Sequence, residues 1–330
     1  SKASFNAFPN GHHNPKISQL MLAEGGDPIV QVKTIMSGGV QGLVAVAPPR
    51  RPEVRASDDV GLKSYDLRSW WYMAVNDKKP YLKKEVRQAL DVTIDREQLR
   101  ELTMGIKPSD PLPACQFISG PFIPSSPYYN RGVDTNPAAD RNKAADLMRS
   151  AGATMQHGLW ILGGEPVNLK IGMNAGLDLE AKDLLNQLGN QLQAGGFQRQ
   201  VHKISQDDWQ NKVITGRMED WDILIGKWSF GVVEDVNPMF HTRAGGKGAL
   251  NIFNYSNGEV DKLLEAYEVA STDTAAQDAY HDLHEFLAKD LPYIFLWKLD
   301  TKSAWRNEVR GNTITPYFYF TEFDGWSYSG

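Results

Sequence analysis

The strongest constraint on the fold is an alternation of strand and helix patterns in the centre of the chain. Residues 167–173 alternate apolar and polar side chains, as a half-buried strand does. A stripe of leucines at helical spacing follows and ends at a Gly-Gly pair, and strand patterns return at residues 197–204 and 221–226 with a short helix between them. This order predicts a parallel sheet with right-handed crossovers.

Such a sheet also predicts where a ligand would bind, since open α/β sheets hold ligands beyond the carboxyl ends of their strands. In this sequence those ends are residues 174–176, after the first strand, and residues 227–230, after the third. The second segment contains Trp228 and Phe230. We therefore expect a binding site with aromatic walls at this edge of the sheet.

Elsewhere, helical patterns lie on both sides of a proline-rich stretch. The pattern over residues 83–104 is interrupted at Asp95, whose spacing to Gln98 matches a capping box and predicts two consecutive helices. Residues 107–127 hold six prolines and predict a long irregular loop. Further predicted elements are helices near 30–36, 144–151, 260–267 and 283–287, a buried strand over 291–297, short strands with turns over 1–75, and a β-like aromatic tail over 303–330.

Composition excludes several classes of protein. The 330 residues carry 35 basic and 40 acidic side chains, a net charge of −5, which argues against a nucleic acid as the main partner. Cys115 is the single cysteine, so neither an intramolecular disulfide nor a thiolate metal cluster can form. The longest strongly apolar run, residues 43–47, is far shorter than the roughly 18 residues of a membrane span. The length suggests roughly two domains.

Catalytic and metal-binding motifs are weak. Neither a nucleophile elbow nor a glycine-rich dinucleotide fingerprint is present in the sequence. His281 and His284 could share one face of a helix and hold a metal, but the apolar pattern leaves His281 on the solvated side. The histidine pair at 12–13 and the glycine-rich segment 244–249 predict surface loops. We therefore expect no cofactor and no metal.

Aromatic clusters are a more specific signal. Three clusters that are distant in sequence each lie beside a predicted strand, at ends or junctions where clefts form. Their members are Trp70, Trp71, Tyr72, Trp228, Phe230 and Trp297. Core packing and the lining of a binding cleft both remain open for each of these side chains.

Several short runs occur in an order typical of one protein family. They are residues 37–40, 85–97, 136–152, 254–264 and 291–292. Residues 85–97 are the most recognisable, whereas Gly39 stands where family members carry an acidic residue. Together these runs resemble the family 5 solute-binding proteins of ABC transporters, the class that includes dipeptide, oligopeptide and nickel binders.

The resemblance implies an α/β fold of the periplasmic-binding-protein type (type II, cluster C), with two lobes that close on a ligand about a hinge. Residues 76–296 would form one complete lobe, and residues 1–75 and 297–330 would form part of the other. The hinge crossings are expected near residues 72–76 and 297–301. Family members carry a longer N-terminal portion, so we expect a truncated, processed or partial chain.

The resemblance further implies a protein without enzymatic activity, the substrate-binding component of an ABC importer. It would capture a peptide-like or other small solute between its lobes and deliver it to a membrane permease. Its place would be the periplasm, or the outer side of the membrane as a tethered lipoprotein. An alternative with the same fold is a sensor or a partner subunit of a larger assembly. A metalloenzyme that uses His281 and His284 is a third possibility.

The resemblance also suggests which residues contact the ligand. In peptide-binding members, an acidic residue shortly after the tryptophan equivalent to Trp228 receives the ammonium group of the ligand. Gly231 stands three residues after Trp228, so either Asp235 takes that role or the ligand has no ammonium group. The candidate ligand-binding residues are Trp70, Trp71, Tyr72, Asn76, Trp228, Phe230, Glu234, Asp235 and Trp297.

Overall fold

A computed structural model describes the chain in five stretches, residues 2–7, 15–106, 115–215, 218–245 and 250–330. The histidine pair at 12–13, the first part of the proline-rich stretch and most of the glycine-rich segment after Ala244 lie outside these residues. The chain divides into two compact units. The smaller is Ser1–Leu67 with Asp300–Gly330, and the larger is Arg68–Leu299.

The helices and strands alternate from β10 to β12, whereas elsewhere several strands or helices follow one another. The strands are β1 (Lys2–Asn6), β2 (Gln19–Ala23), β3 (Gly42–Leu43), β4 (Val60–Tyr65), β5 (Ser69–Val75), β6 (Cys115–Phe117), β7 (Thr154–Gln156), β8 (Leu159–Leu162), β9 (Glu165–Pro166), β10 (Asn168–Asn174), β11 (Gln198–Ile204), β12 (Ile223–Ser229), β13 (Tyr293–Leu299), β14 (Thr301–Arg306), β15 (Val309–Arg310) and β16 (Ser327–Tyr328). The helices are α1 (Pro28–Met36), α2 (Arg51–Arg55), α3 (Lys84–Thr93), α4 (Arg96–Met104), α5 (Arg141–Ser150), α6 (Leu184–Ala194), α7 (Gln206–Thr215), α8 (Asn237–Phe240), α9 (Gly258–Glu268) and α10 (Asp273–Asp290).

The larger unit is built on a six-stranded sheet in the order β11-β10-β12-β5-β13-β6. The predicted parallel core is confirmed, because β10 pairs in parallel with both β11 and β12. Beyond β12, the strands β5, β13 and β6 continue the sheet with antiparallel pairing. The sheet is therefore mixed, with the parallel strands at one side and the antiparallel strands at the other.

Strand β5 lies inside this sheet, and every one of its residues is buried. Successive side chains of a strand point to opposite faces, so Trp70 and Tyr72 enter one apolar core while Trp71 and Met73 enter the other. A strand covered on both faces belongs to the middle of its sheet. The first boundary was predicted between residues 75 and 76, whereas the two units divide after Leu67. The second was predicted at residue 297, inside β13, whereas the units divide after Leu299.

Local signals predict the helices of this unit well. The break at Asp95 is confirmed, since its carboxylate accepts a hydrogen bond from the backbone N–H of Gln98 (2.8 Å) at the start of α4. The leucine stripe forms the buried face of α6, which is capped at its end by Gly195. Helices α9 and α10 appear where their apolar faces predict them.

The proline-rich stretch is not irregular throughout. Its residues Cys115–Phe117 form β6, which pairs with β13 so that Phe117 lies opposite Trp297. The prediction of a continuous loop over residues 107–127 is therefore wrong at these positions. A strand of three residues is too short to show a periodic pattern in a sequence. It forms because its backbone pairs with the edge of β13.

A buried arginine joins several of the segments that carry the family resemblance. Arg96 is 2% exposed and forms an ion pair with Asp91. Its guanidinium also donates to the backbone oxygens of Phe295 on β13 (2.9 Å) and of Asn136 (2.8 Å). The amide of Asn136 donates to the Asp91 carboxylate. These recognisable residues thus hold the core of the larger unit together.

The smaller unit has a three-stranded sheet, β3-β14-β4, whose apolar core is shared with α1 and α2. The small helix predicted near residues 30–36 is confirmed as α1, capped by Asp27 through the N–H of Ile29 (2.7 Å). The tail predicted to be β-like over residues 303–330 is so only in part: it contains the end of β14 together with β15 and β16, whereas the aromatic run 317–320 lies in turns and irregular backbone. Its rings pack on one another there, with Trp305 and Trp326 edge to face at 5.0 Å.

Candidate functional site

A cavity of about 190 Å³ lies at the carboxyl ends of β10 and β12. This is the edge of the sheet at which the sequence predicts a ligand. Its sheet residues are Tyr72, Asn174, Gly226, Lys227 and Trp228. The other wall residues are Leu177, Trp209, Met239, Leu250 and Ile252. The larger unit therefore contains, within itself, a mostly apolar pocket where open α/β sheets bind ligands.

Tyr72 and Gly226 form the floor of this pocket. They lie opposite each other on β5 and β12, and a Cβ atom at Gly226 would stand 2.5 Å from the Tyr72 hydroxyl oxygen. The glycine therefore allows the phenol ring to lie across β12. Tyr293 packs edge to face against that ring at 4.9 Å, and Trp70 does so at 5.3 Å. Burial raises the pKa of the Tyr72 hydroxyl well above its ordinary value, so the floor of the pocket is uncharged.

Two polar side chains of the wall are bonded to protein partners, whereas the buried indole N–H of Trp228 has no hydrogen-bond partner among the described residues. Lys227 pairs with both carboxylate oxygens of Glu180, at 2.7 and 3.0 Å. The side-chain amide of Asn174 donates to Gln206 (2.6 Å) and accepts from the backbone N–H of Gly176 (2.8 Å). The two groups therefore orient the loops around the pocket and present little unbonded polar surface to it.

Of the nine predicted ligand-binding residues, the structure places Tyr72 and Trp228 in the cavity wall. Phe230 is buried beside them, with its ring 6.2 Å from that of Trp228 and 6.4 Å from that of Trp70. Trp70 lies opposite Trp228 in the strand register but has no exposed surface, and it packs on Phe295 at 5.4 Å. Phe230 and Trp70 thus support the wall from behind.

Three other predicted residues lie away from the cavity. Trp71 and Trp297 face each other in the core on the opposite side of the sheet, with ring centroids 6.4 Å apart. Asn76 follows β5 at the amino end of β12, where its side-chain amide donates to the backbone oxygen of Trp221 (2.9 Å). The clustering of aromatic residues in sequence did not reveal that alternate residues of β5 point to opposite faces.

The two predicted acidic residues are also engaged elsewhere. Glu234 is 2% exposed, accepts a hydrogen bond from the Ser126 hydroxyl (2.6 Å) and lies 3.8 Å from Arg68. Asp235 is exposed and accepts from the backbone N–H of Asn237 (2.9 Å), at the start of the short helix α8. Neither carboxylate lies in the wall of the cavity. The geometry of this pocket therefore gives no support to the predicted ammonium-binding role of Asp235.

Sequence reasoning missed half of the wall. Trp209 comes from α7, and Met239, Leu250 and Ile252 come from the segment between β12 and α9. The parallel topology predicts the neighbourhood of Leu177, because it follows the end of β10. No local pattern distinguishes the other side chains from ordinary apolar residues, and only the folded chain brings them to this edge.

The histidine pair on α10 does not present two free imidazoles. His284 is buried, and its Nδ1 accepts from the backbone N–H of Asn130 (3.1 Å) while its Nε2–H donates to the Ser119 hydroxyl (3.0 Å). His281 contacts the backbone oxygen of Pro127 (3.0 Å). Over the described ranges, no three His, Cys, Asp or Glu side chains are grouped so that they could hold a metal ion.

The buried imidazole of His284 should make stability depend on pH. Burial, with a smaller contribution from His281, lowers the pKa of His284 from 6.5 to about 3. Below pH 6.5 the unfolded chain therefore binds a proton that the folded chain excludes, so stability falls as the pH falls towards 3. We expect His284 to account for a loss of about 2 kcal/mol between pH 7 and pH 5.

Urea unfolding of the His284→Gln variant at several pH values tests this expectation. In the variant, the unfolding free energy should fall by about 2 kcal/mol less between pH 7 and pH 5 than in the unaltered protein, whatever the variant's absolute stability. His202→Gln, which changes an exposed histidine on β11, should keep the slope. An unchanged slope in His284→Gln would contradict the assignment.

Several known proteins are similar to this chain. The chain is similar to the oligopeptide-binding protein AppA of Bacillus subtilis (strain 168), with 25% identity over 272 residues, which cover 78% of this chain and 46% of AppA. It also resembles the solved structures of the ABC transporter substrate-binding protein CtaP from Listeria monocytogenes and of NikZ from Campylobacter jejuni in complex with Ni(L-His). The TM-scores are 0.84 and 0.80, each at 18% identity.

The matched regions cover nearly all of this chain but a smaller share of each relative. The two solved structures are matched over 100% and 99% of this chain but over 64% and 65% of their own chains. In the sequence comparison, the chain spans about half the length of AppA. Among the described residues, none of the helices has the length and apolar character of a membrane span. The likenesses confirm the predicted fold class.

The family comparison covers most of the chain. The family model described as bacterial extracellular solute-binding proteins, family 5 Middle, matches residues 1–249 of the 330. The match includes the strands β5, β10 and β12, whose residues form the sheet side of the cavity. The chain therefore belongs to the bacterial extracellular solute-binding proteins of family 5.

Proposed function

We propose that this protein is the substrate-binding component of an ABC importer, and that the cavity at the ends of β10 and β12 holds part of its solute. The observation that carries the proposal is an aromatic pocket at this sheet edge in a family 5 chain. The solute is delivered to a membrane permease. The protein works in the periplasm or as a lipoprotein tethered outside the cytoplasm, without catalysis.

The proposed solute is a peptide. The similarity to AppA, which is named as an oligopeptide-binding protein, supports a peptide. The structural likeness to NikZ, solved with Ni(L-His), makes a nickel complex the competing ligand. Tyr72 and Trp228 contact the solute in this proposal, while Trp70 and Phe230 hold those two side chains in place.

Unfolding in the presence of candidate solutes tests the proposal. A peptide that binds only the folded protein should raise the free energy of unfolding by about 2.7 kcal/mol at 100 times its Kd. We expect pools of dipeptides to nonapeptides to contain such a ligand. For the Trp228→Ala variant, at least ten times more peptide should be needed to reach the same increase in unfolding free energy, because the substitution removes one wall of the pocket.

Phe318→Ala is the matched control, because it removes an aromatic side chain that is 60% exposed in the smaller unit. Its response to peptides should equal that of the unaltered protein. Stabilisation by nickel with histidine, and by no peptide pool, would assign the competing ligand. Failure of every peptide pool and of the nickel complex would contradict a role in solute capture.

A further inference from the structure

We infer that the cavity takes an uncharged apolar group of the solute, about the size of a leucine side chain or a single aromatic ring, and rejects a charged one of the same shape. This inference rests on the proposed function and specifies the chemistry of that same site. It concerns the pocket lined by Tyr72, Lys227, Trp228 and Leu250 within the larger unit.

The size of the cavity supports a single small group. Its volume is about 190 Å³, slightly larger than the cavity of about 150 Å³ that holds one benzene molecule when lined by apolar side chains. Trp209, Met239 and Ile252 add to the apolar wall. Leu250 is 40% exposed, so an apolar group in the cavity would remove part of its surface from water.

The charges around the cavity explain the rejection of ionic groups. Lys227 is the one charged side chain among the wall residues that the structure describes, and Glu180 already neutralises it through two contacts. An anionic solute group would have to displace Glu180, and a cationic group would meet the Lys227 ammonium without a carboxylate of its own. Removing either charge from water without a partner is costly.

The aromatic side of the pocket is preorganised. Tyr72 cannot swing away freely, because its ring is held between Gly226, Tyr293 and Trp70. A wall that keeps its shape binds a matching apolar group without first paying for reordering of its side chains. The floor therefore favours shape and apolar surface over charge.

Three small probes of nearly equal shape test the inference. They are N-acetyl-leucinamide, N-acetyl-asparaginamide and N-acetyl-aspartic acid α-amide, and saturation-transfer NMR measures their binding to the protein. We expect the leucine probe to bind at least tenfold more tightly than the other two. Trp228→Ala and Leu250→Asn should each weaken it at least fivefold, and Phe318→Ala should leave it unchanged.

Leu250→Asn covers the case in which Trp228→Ala is poorly folded, because Leu250 is partly exposed and its replacement has similar volume. Equal binding of the three probes, preference for the aspartate probe, or no binding of the leucine probe would each overturn the inference. Peptide-induced stabilisation could persist in any of these cases, and solute capture would then stand without this selectivity. If the leucine probe did not bind selectively and no peptide stabilised the protein, the proposed function would be contradicted as well.

Discussion

Replacing Arg96 with methionine is expected to lower the free energy of unfolding by about 3–5 kcal/mol, measured by urea denaturation. The change would leave the Asp91 carboxylate buried without its counter-ion and would free the backbone oxygens of Phe295 and Asn136 from their donor. A buried charge without a partner costs much more than the average ion pair contributes.

Arg149→Met is the matched control for this prediction. Arg149 also forms an ion pair with an aspartate, Asp146, at 2.8 Å, but both side chains are more than 60% exposed. Exposed pairs contribute at most about 1 kcal/mol, so the control should change stability little. The double variant Arg96→Met, Asp91→Leu should recover part of the loss, since it removes the orphaned charge. A loss below 1 kcal/mol for Arg96→Met would show that the network is not what holds α4 to β13.

Trp70→Ala is expected to destabilise the protein by about 3–5 kcal/mol, as truncation of a fully buried aromatic side chain does. Trp70 has no exposed surface and contacts the rings of Tyr72, Phe230 and Phe295. Trp228 lies opposite it in the register and is only half buried. Trp228→Ala should therefore cost less stability and mainly weaken solute binding.

Comparing the two tryptophan variants separates a supporting residue from a contact residue. Unfolding experiments without solute measure the first effect, and titration with a stabilising peptide measures the second. If Trp70→Ala kept its stability and lost peptide binding, Trp70 would belong to the site and its placement in the core would be wrong.

The fold could be predicted where the pattern is local. The alternation over residues 167–173 and the leucine stripe of α6 identify a strand and a helix because their periods differ, at about 2 and 3.6 residues. Asp95 identifies the start of α4 because capping depends on a neighbour three residues away. The short strand β6 has no such pattern, and its pairing with β13 depends on residues 180 to 184 positions later.

The sequence predicts the edge of the sheet at which the site lies, but only some of the residues that line it. Tyr72 and Trp228 were identified because they lie beside strand ends, and the sheet topology brings them to the cavity. Trp71 and Trp297 share the same signal and lie on the other face. An aromatic residue beside a strand packs into a core more often than it contacts a ligand, and only the folded structure shows which face of the sheet each ring occupies and whether it reaches the cavity.

The sequence by itself determined the class of fold, the order of the central strands and helices, the edge of the sheet at which the pocket lies, and the family to which the runs around Arg96 point. Only the tertiary structure decided that β5 lies inside the sheet of the larger unit, which face each tryptophan occupies, and that Glu234 and Asp235 have partners outside the pocket. The physical reason is one of range. Helical and strand periodicity act over a few residues, whereas sheet order, register and the partners of buried charges depend on segments that meet only after folding.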